Sequence, residues 1–184
     1  MTVTSVGAAR ASEYVQAMPH LLALRPPEDL SDALRALGTF REVGPHITVK
    51  AQAGLDDLSR PQWLPRVQQA LAGFGPFTVQ LGVLGTFGEA VAFLEVTSPK
   101  VLELHEALMH AVAPPPQEAA RFFELDGWQP HLTLRQGLDI DLPALRAAVD
   151  DLGPLPSFTV DEVWLCRQDA PDVAYVLDQA ISLR

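Results

Sequence analysis

Two short stretches of the chain place the same reactive side-chain types at the same spacing. Residues 44–50 (the first motif) read GPHITVK, and residues 129–135 (the second motif) read QPHLTLR. On an extended strand alternate side chains project from one face, so the histidine, threonine and basic residue of each motif are predicted to share a polar face. An imidazole titrates near ~6.5, so two imidazoles can supply a general acid and a general base at neutral pH.

The predicted catalytic residues are His46 and Thr48 in the first motif and His131 and Thr133 in the second. One histidine would remove a proton while the other donates one. Each threonine lies about 6.5–7 Å along the strand from its histidine, a distance that can span one phosphoryl group, whose non-bridging oxygens the hydroxyls would contact. The alternative is that each motif is only the polar side of an amphipathic edge strand.

Further residues are candidates for substrate binding. Lys50 and Arg135 continue the two polar faces, and either bind additional phosphate or are solvated charges at strand ends. A nucleobase or ribose needs an aromatic surface, and Phe87, which follows a strand and precedes a glycine, is the best candidate. Three other aromatic residues are candidates for the same role, and core packing is the alternative for all four. The three are Phe122, Phe123 and Trp128.

No metal site and no cofactor are predicted. Two histidines without a third ligand make a poor zinc site, and the motifs lack the carboxylates that surround magnesium. Four aspartates follow the motifs and are interpreted as helix-leading or solvent-facing acids. They are Asp56, Asp57, Asp139 and Asp141.

The remaining histidines are interpreted as structural or as surface residues. His20 lies in a predicted strand, and His105 and His110 stand five residues apart on one predicted helix, a spacing that does not place them on the same face. Cys166 is the only cysteine of the sequence, which excludes an internal disulfide and a thiolate zinc cluster and favours a cytoplasmic location.

The composition is that of a packed globular protein. The chain has 184 residues, of which 48% are hydrophobic and 20% are charged. Residues 1–16 lack the apolar run of a secretory signal and are expected to form a loose tail, and residues 17–184 a single, monomeric domain. No run of eighteen apolar residues occurs, so no membrane partner is expected.

The negative charge is concentrated in the second half of the chain. Residues 1–92 contain 7 basic and 8 acidic side chains, a net charge of −1, whereas residues 93–184 contain 6 and 15, a net charge of −9. Because phosphate neutralisation supplies most non-specific nucleic-acid affinity, long RNA is a doubtful partner and DNA is not expected. Small anionic ligands fit this balance better.

The pattern of apolar residues predicts an α+β fold made of two similar halves. Each half contains a motif strand, a helix after it and then two strands, with the histidines 85 positions apart, which indicates an internal duplication. We expect a bilobal molecule with pseudo-twofold duplicated antiparallel sheets, helices outside and the motif strands facing each other across a central cleft. The segment PPPQEAARFFELDGW before the second motif is either a lid-like loop or a short irregular helix.

The doubled Pro-His-aliphatic-Thr pattern resembles the two-histidine (2H) phosphoesterase superfamily, which includes LigT-type 2′-5′ RNA ligases and cyclic phosphodiesterases. The resemblance covers both motifs and the order of elements from about Ala17 to the C-terminus. It implies a bilobal fold with both motifs in the cleft. The chain departs from RNA-acting members in its more acidic surface.

The function that the resemblance implies is metal-independent hydrolysis of 2′,3′-cyclic phosphates of nucleotides or short RNA ends to 2′-phosphates. Two alternatives remain open. A ribose hydroxyl in place of water would make the protein a reversible 2′-5′ RNA ligase, and loss of turnover would leave a non-catalytic module that binds nucleotides or RNA ends.

Overall fold

The computed structural model describes residues 18–38, 40, 43–170 and 173–184, so the predicted tail over residues 1–16 lies outside the described residues. The described helices and strands follow one another in an order that repeats. In chain order they are β1 His20–Leu24, α1 Glu28–Arg35, β2 Ile47–Lys50, α2 Arg60–Leu71, β3 Phe77–Val79, β4 Leu81–Phe87, β5 Val91–Val96, α3 Pro99–Val112, α4 Pro116–Arg121, β6 His131–Gln136, α5 Leu142–Asp151, β7 Phe158–Val160, β8 Glu162–Gln168 and β9 Tyr175–Ser182.

The strands form one large antiparallel sheet covered by helices, which confirms the predicted α+β class. Seven strands are hydrogen-bonded in the order β4-β5-β6-β2-β1-β8-β9, and β3 pairs with β7 in a separate two-stranded sheet. The order strand, helix, motif strand, helix, strand, strand occurs twice along the chain, with α4 added in the second half and β9 added at the end. The internal duplication predicted from the motifs is therefore present in the order of the elements.

The two motif strands lie side by side, which corrects our expectation that they face each other across a cleft. β2 and β6 are antiparallel neighbours at the centre of the sheet, paired at Ile47 and Leu132. Two further pairs join the halves: β4 of the first half forms a hairpin with β5 of the second, and β8 of the second half pairs with β1 of the first. The halves therefore merge into one sheet instead of two small ones.

One face of this sheet, which we call the helix face, carries the main core. Buried residues of α1, α2, α3 and α5 pack with Ile47 and Leu132 in a single hydrophobic cluster. Full burial of each such aliphatic side chain contributes roughly 1.5–3 kcal/mol. The opposite face, which we call the open face, carries a separate small cluster that includes Ala23 and the buried Cys166.

The helices follow from their apolar periodicity. Val101, Leu104, Leu108 and Val112 form the buried stripe predicted for α3, which packs beneath β2. Of the described helices, none is long and apolar enough to cross a membrane.

His20, interpreted from sequence as structural, is buried at the start of β1. Its ring is 1% exposed and lies edge-on to Trp63 with the ring centroids 5.4 Å apart. Burial lowers the pKa of His20 below its ordinary value, and the neighbouring charge of Arg60 lowers it further, against smaller opposite effects of Asp178 and Asp57.

We expect this burial to make stability depend on pH. Since the pKa of His20 is lowered on folding, the unfolded chain binds the proton first as pH falls below about 6.5. The stabilisation is complete above that pH and is lost as pH falls through the lowered value. Urea unfolding at pH 7.5 and 5.0 should show a smaller acid-induced loss of unfolding free energy in His20→Phe than in the wild type and the His110→Gln control, whose histidine is exposed. An equal loss in all three would contradict this.

Candidate active site

The four predicted catalytic residues meet on the open face, around the Ile47–Leu132 pair. Because β2 and β6 are antiparallel and pair at Ile47 and Leu132, the register places His46 on the side of Thr133 and Thr48 on the side of His131. Each of these four side chains is half-buried. In this register the two histidines are diagonal neighbours, a relation in which the residues are typically about 7–8 Å apart and their Cβ atoms somewhat closer. A phosphate group fits between two imidazoles at that separation.

Each imidazole is held by a hydrogen bond to the backbone two residues before it. His46 Nδ1 lies 2.8 Å from the carbonyl oxygen of Gly44, and His131 Nδ1 lies 2.8 Å from that of Gln129. A carbonyl can only accept, so in each neutral ring Nδ1 carries the hydrogen and Nε2 carries the lone pair. Nε2 is therefore the atom that would gain or lose the catalytic proton.

The turn at the start of the first motif requires a glycine. Gly44 has a φ of 89°, in the region that favours glycine, and a Cβ there would lie 3.2 Å from Arg35 Nη2. Pro45 then fixes the chain direction, so that His46 enters the sheet with its ring turned back to the Gly44 carbonyl.

The surroundings of His131 change its pKa. Burial lowers the pKa of His131 below its ordinary value, and the nearby His46 lowers it further, against the opposing effect of the hydrogen bond to Gln129. His131 is therefore mainly neutral at pH 7 and suited to accept a proton. The interaction between the rings disfavours a state in which both are charged.

An aromatic pair borders His131. Phe87 is 40% exposed, and its ring meets the His131 ring edge-on at 4.9 Å. Phe93 is buried beneath them, 4.2 Å from Phe87 and 5.2 Å from His131 between ring centroids. The structure thus places Phe87 beside His131, one of the predicted catalytic residues.

Sequence reasoning missed Phe93. It lies opposite Thr133 on one side and Gly85 on the other, where a Cβ would approach the Phe93 ring to 2.8 Å. In the sequence Phe93 is one apolar residue within a strand, and only its pairing with β6 brings it to the site. A glycine in a strand interior, here Gly85, can indicate that another group packs closely against the backbone, and this was the available signal for Phe93.

Lys50 does not reach the open face, which corrects the prediction that it binds substrate. A β-bulge places Val49 as an extra residue in β2, so Lys50 lies opposite Leu22 while Thr48 lies opposite Ala23. Leu22 belongs to the core of the helix face. The extra residue breaks the alternation, and the Lys50 side chain is fully buried in an ion pair with Glu124.

Arg135 is also turned away from the open face by a bulge. A second bulge makes Leu134 the extra residue of β6, so Arg135 lies opposite Ala92, a residue of the main core. Arg135 Nε donates a hydrogen bond to the carbonyl of Leu37 at 3.0 Å. The prediction that Arg135 shares a polar face with His131 is therefore wrong for the same reason as for Lys50.

The segment between α3 and β6 contains the short helix α4, which settles the choice between loop and helix. The aromatic residues near it lie away from the catalytic residues: Trp128 stacks on His105, Phe122 lies beneath Arg121, and Phe123 is 83% exposed.

No metal cluster is formed by the described residues: three His, Cys, Asp or Glu side chains that could hold an ion do not come together among them. Asp141 instead caps α5 by accepting a hydrogen bond from the Ala144 amide at 3.0 Å, which confirms its interpretation as a helix-leading acid. Asp56 likewise accepts hydrogen bonds from Ser59, just before α2.

Comparison with known proteins places this arrangement in a family. The family model described as the 2′-5′ RNA ligase superfamily matches residues 15–172. The search of curated proteins found no significant match.

Solved structures share the fold at low sequence identity. TT0787 of Thermus thermophilus superposes with a TM-score of 0.69 and 20% identity, over 91% of this chain and 98% of that one. E. coli LigT complexed with phosphate superposes with a TM-score of 0.61 and 15% identity, over 91% and 98% of the two chains. E. coli LigT complexed with 3′-AMP gives a TM-score of 0.61 and 16% identity, over 91% and 99%.

Proposed function

Because the chain belongs to the 2′-5′ RNA ligase superfamily, we propose that it is a metal-independent phosphodiesterase that hydrolyses 2′,3′-cyclic phosphates of nucleotides or short RNA ends to 2′-phosphates. The observation that carries the proposal is the arrangement around the Ile47–Leu132 pair. There, two imidazoles of matching tautomer and two hydroxyls lie on one half-buried surface. This is the set of groups needed for acid–base catalysis on one phosphorus atom.

In the proposed reaction the two histidines divide the proton transfers. His131 Nε2 removes a proton from a water molecule, whose oxygen attacks phosphorus in line with the ribose 3′ oxygen. The bond between phosphorus and that oxygen breaks, and His46 Nε2 donates a proton to it, leaving a 2′-phosphate and a 3′-hydroxyl. The lowered pKa of His131 supports its role as base, since its neutral form predominates at pH 7.

The threonines are proposed to bind the non-bridging oxygens. Thr48 and Thr133 flank the two histidines on the same face, and each hydroxyl can donate one hydrogen bond to an anionic oxygen. Hydrogen bonds to charged groups contribute roughly 1.5–3 kcal/mol, and fixed donors are most effective where charge shifts during the reaction.

A small substrate agrees with the surroundings of the site. The Phe87 ring beside His131 offers a surface for a ribose or base. The formal net charge of −10 opposes the binding of long RNA. E. coli LigT, with the same fold, has been crystallised with phosphate and with 3′-AMP.

The pH dependence of the rate should report His131. Because the pKa of His131 is lowered, the base is still neutral somewhat below pH 6.5 and becomes protonated only as pH falls further. We expect the acid limb of kcat/KM to have its midpoint below 6.5. Initial rates between pH 4.5 and 9 with a 2′,3′-cyclic nucleotide would measure it, and a midpoint above 6.5 would contradict the assignment of His131 as base.

Reversible 2′-5′ RNA ligation is the second candidate, because the family description names that activity. It would use the same residues, with a ribose hydroxyl in place of water. The net charge favours the smaller substrate. A non-catalytic nucleotide-binding module would keep the sheet and bind cyclic phosphates without turnover.

One assay separates these functions. The protein is incubated in EDTA with 2′,3′-cyclic nucleotides, oligonucleotides ending in a cyclic phosphate and 2′-5′-linked dimers, and the products are identified by ³¹P NMR. We expect 2′-phosphates from the cyclic nucleotides. Conversion of the dimers together with joining of oligonucleotide ends would favour the ligase, and binding without product would favour the binding module.

A further inference from the structure

A buried ion pair joins the end of the first motif strand to the segment that leads into the second motif. Lys50 Nζ lies 2.8 Å from each carboxylate oxygen of Glu124, and both side chains are 0% exposed. In the sequence, Lys50 follows Thr48 by two residues and Glu124 precedes His131 by seven. The pair therefore connects the two motifs across the helix face of the sheet.

The polar groups of this pair are fully engaged. Lys50 Nζ also donates to the carbonyls of Ala51 at 3.0 Å and Ala53 at 2.7 Å, and the Ala51 amide donates to Glu124 Oε1 at 2.6 Å. Buried ion pairs can often be replaced by apolar residues without loss of stability, so such a pair is better understood by the geometry that it specifies. Here it fixes the Glu124 side chain to the backbone that follows β2.

His105 makes a second connection between the same two segments. Its Nδ1 lies 2.9 Å from the Val49 carbonyl oxygen and its Nε2 packs 3.3 Å from that of Glu124; a neutral ring carries one hydrogen and donates to one of these two oxygens. The ring also stacks on Trp128, with the centroids 3.8 Å apart and the planes at 7°. Through His105, α3 thus contacts the bulge of β2 and both ends of the segment 124–128.

The backbone before Glu124 is strained in a way that fits this role. Phe123 has a φ of 57°, in the left-handed region that favours glycine, although its side chain is 83% exposed. The Glu124 amide donates to the Ala119 carbonyl at 2.9 Å, which closes the end of α4. The exposed Phe123 side chain gains little from this conformation, but the conformation turns Glu124 inward to Lys50.

Gln129, next to Trp128, supplies the carbonyl that holds His131 Nδ1. Within the described residues, β6 pairs with β5 at five positions, including Glu95 opposite His131, whereas its pairing with β2 is confined to Ile47 and Leu132. Other contacts must therefore fix the approach to the second motif on the side of β2. We propose that Lys50, Glu124 and His105 are positioning residues, which fix the segment 124–129 so that the Gln129 carbonyl keeps His131 in the tautomer with a lone pair on Nε2. Only the expected effect on the reaction rate rests on the proposed function; the expected effect on the His131 tautomer does not.

The test uses two variants that act on the pair differently. Glu124→Gln removes the charge and keeps the shape of the side chain. The double variant Lys50→Met/Glu124→Leu replaces the pair by apolar side chains of similar size, and should fold even where the single variant does not. The matched control is Arg60→Met/Asp178→Leu, which removes a half-buried ion pair between α2 and β9, away from both motifs.

The readout that does not depend on activity is the tautomer of His131, measured by ¹⁵N NMR of the imidazole at pH 8 without substrate. We expect hydrogen on Nδ1 in the wild type and in the control, and a mixture of tautomers in both pair variants. In the same proteins kcat should fall about 10- to 100-fold, as expected when a catalytic group is displaced by a fraction of an ångström to one ångström, while KM changes less than threefold.

The outcomes distinguish this proposal from the proposed function. A folded double variant with wild-type His131 tautomer and wild-type kcat would overturn the positioning role. A wild-type protein that hydrolyses no cyclic phosphate would contradict the proposed function, and the NMR comparison would still decide whether the pair positions His131.

Discussion

Replacing either motif histidine by alanine is expected to lower kcat for a 2′,3′-cyclic nucleotide by about 10²–10⁴-fold. His46 and His131 would each lose a proton transfer that water performs poorly. Both rings are half-buried on the open face and outside the hydrophobic clusters, so the fold should survive their truncation. Initial rates, with circular dichroism to verify folding, measure the effect.

The exposed histidine of α3 provides the control for this experiment. His110→Ala should retain full activity, because His110 lies on the helix that covers the other face of the sheet. The double variant His46→Ala/His131→Ala should be little worse than the poorer single variant, because the two groups act in one step. Activity within twofold of the wild type in either folded single variant would refute its catalytic assignment.

The division of roles between the histidines can be tested with a substrate that needs no general acid. A nitrophenyl phosphodiester has a leaving group that departs without a proton. If His46 is the acid, the deficit of His46→Ala should largely disappear with this substrate, while that of His131→Ala should persist. The reverse result would exchange the two roles.

Replacing each motif threonine by valine is expected to lower kcat about 10- to 100-fold. Valine keeps the shape of Thr48 or Thr133 and removes the hydroxyl that donates to a phosphoryl oxygen, an interaction between neutral donor and anion worth roughly 1.5–3 kcal/mol. The loss should fall on kcat more than on KM, since the donors act most strongly on the charge of the transition state. Steady-state kinetics on both variants measures the split.

Two further substitutions make the threonine result specific to the hydroxyl. Thr48→Ser and Thr133→Ser keep a hydroxyl and should recover most of the lost rate. Thr78→Val, at an exposed position of β3, changes a strand threonine away from the site and should be silent. Equal rates for the valine and serine variants would show that the hydroxyls do not contact the reacting phosphate.

The sequence was sufficient to place each motif histidine on one strand face with its threonine, because that signal is local. The alternation of side chains along a strand places His46 with Thr48 and His131 with Thr133, and a repeated pattern suggested that the two pairs act together. In the structure the two motif strands are neighbours at Ile47 and Leu132, so the two pairs of side chains lie near each other.

The prediction for the two basic residues was wrong because a single extra residue in a strand reverses the alternation of its side chains. Val49 and Leu134 are the extra residues of two equivalent bulges, so Lys50 and Arg135 turn to the helix face. Valine and leucine in a strand give no local indication of a bulge. The position of each bulge is therefore visible only in the pairing of the strands.

The arrangement of the sheet could not be predicted for a related reason. The order of the elements indicated the α+β class and the duplication, and β4 and β5 are a hairpin of chain neighbours. The pairing of β1 with β8 and of β2 with β6 instead depends on contacts that are distant in the chain. The same limit applies to Phe93, which reaches Thr133 only through strand pairing, and to Glu124, whose partner Lys50 is 74 residues away.

The most direct test of the account is a crystal structure of the protein with a nucleoside 2′,3′-cyclic vanadate, an analogue of the pentacoordinate transition state. We expect one vanadium atom whose apical oxygens lie about 2.7–3.2 Å from Nε2 of His46 and Nε2 of His131, with equatorial oxygens contacting the hydroxyls of Thr48 and Thr133. A vanadate bound elsewhere on the protein, or one that contacts only one of the two imidazoles, would contradict it.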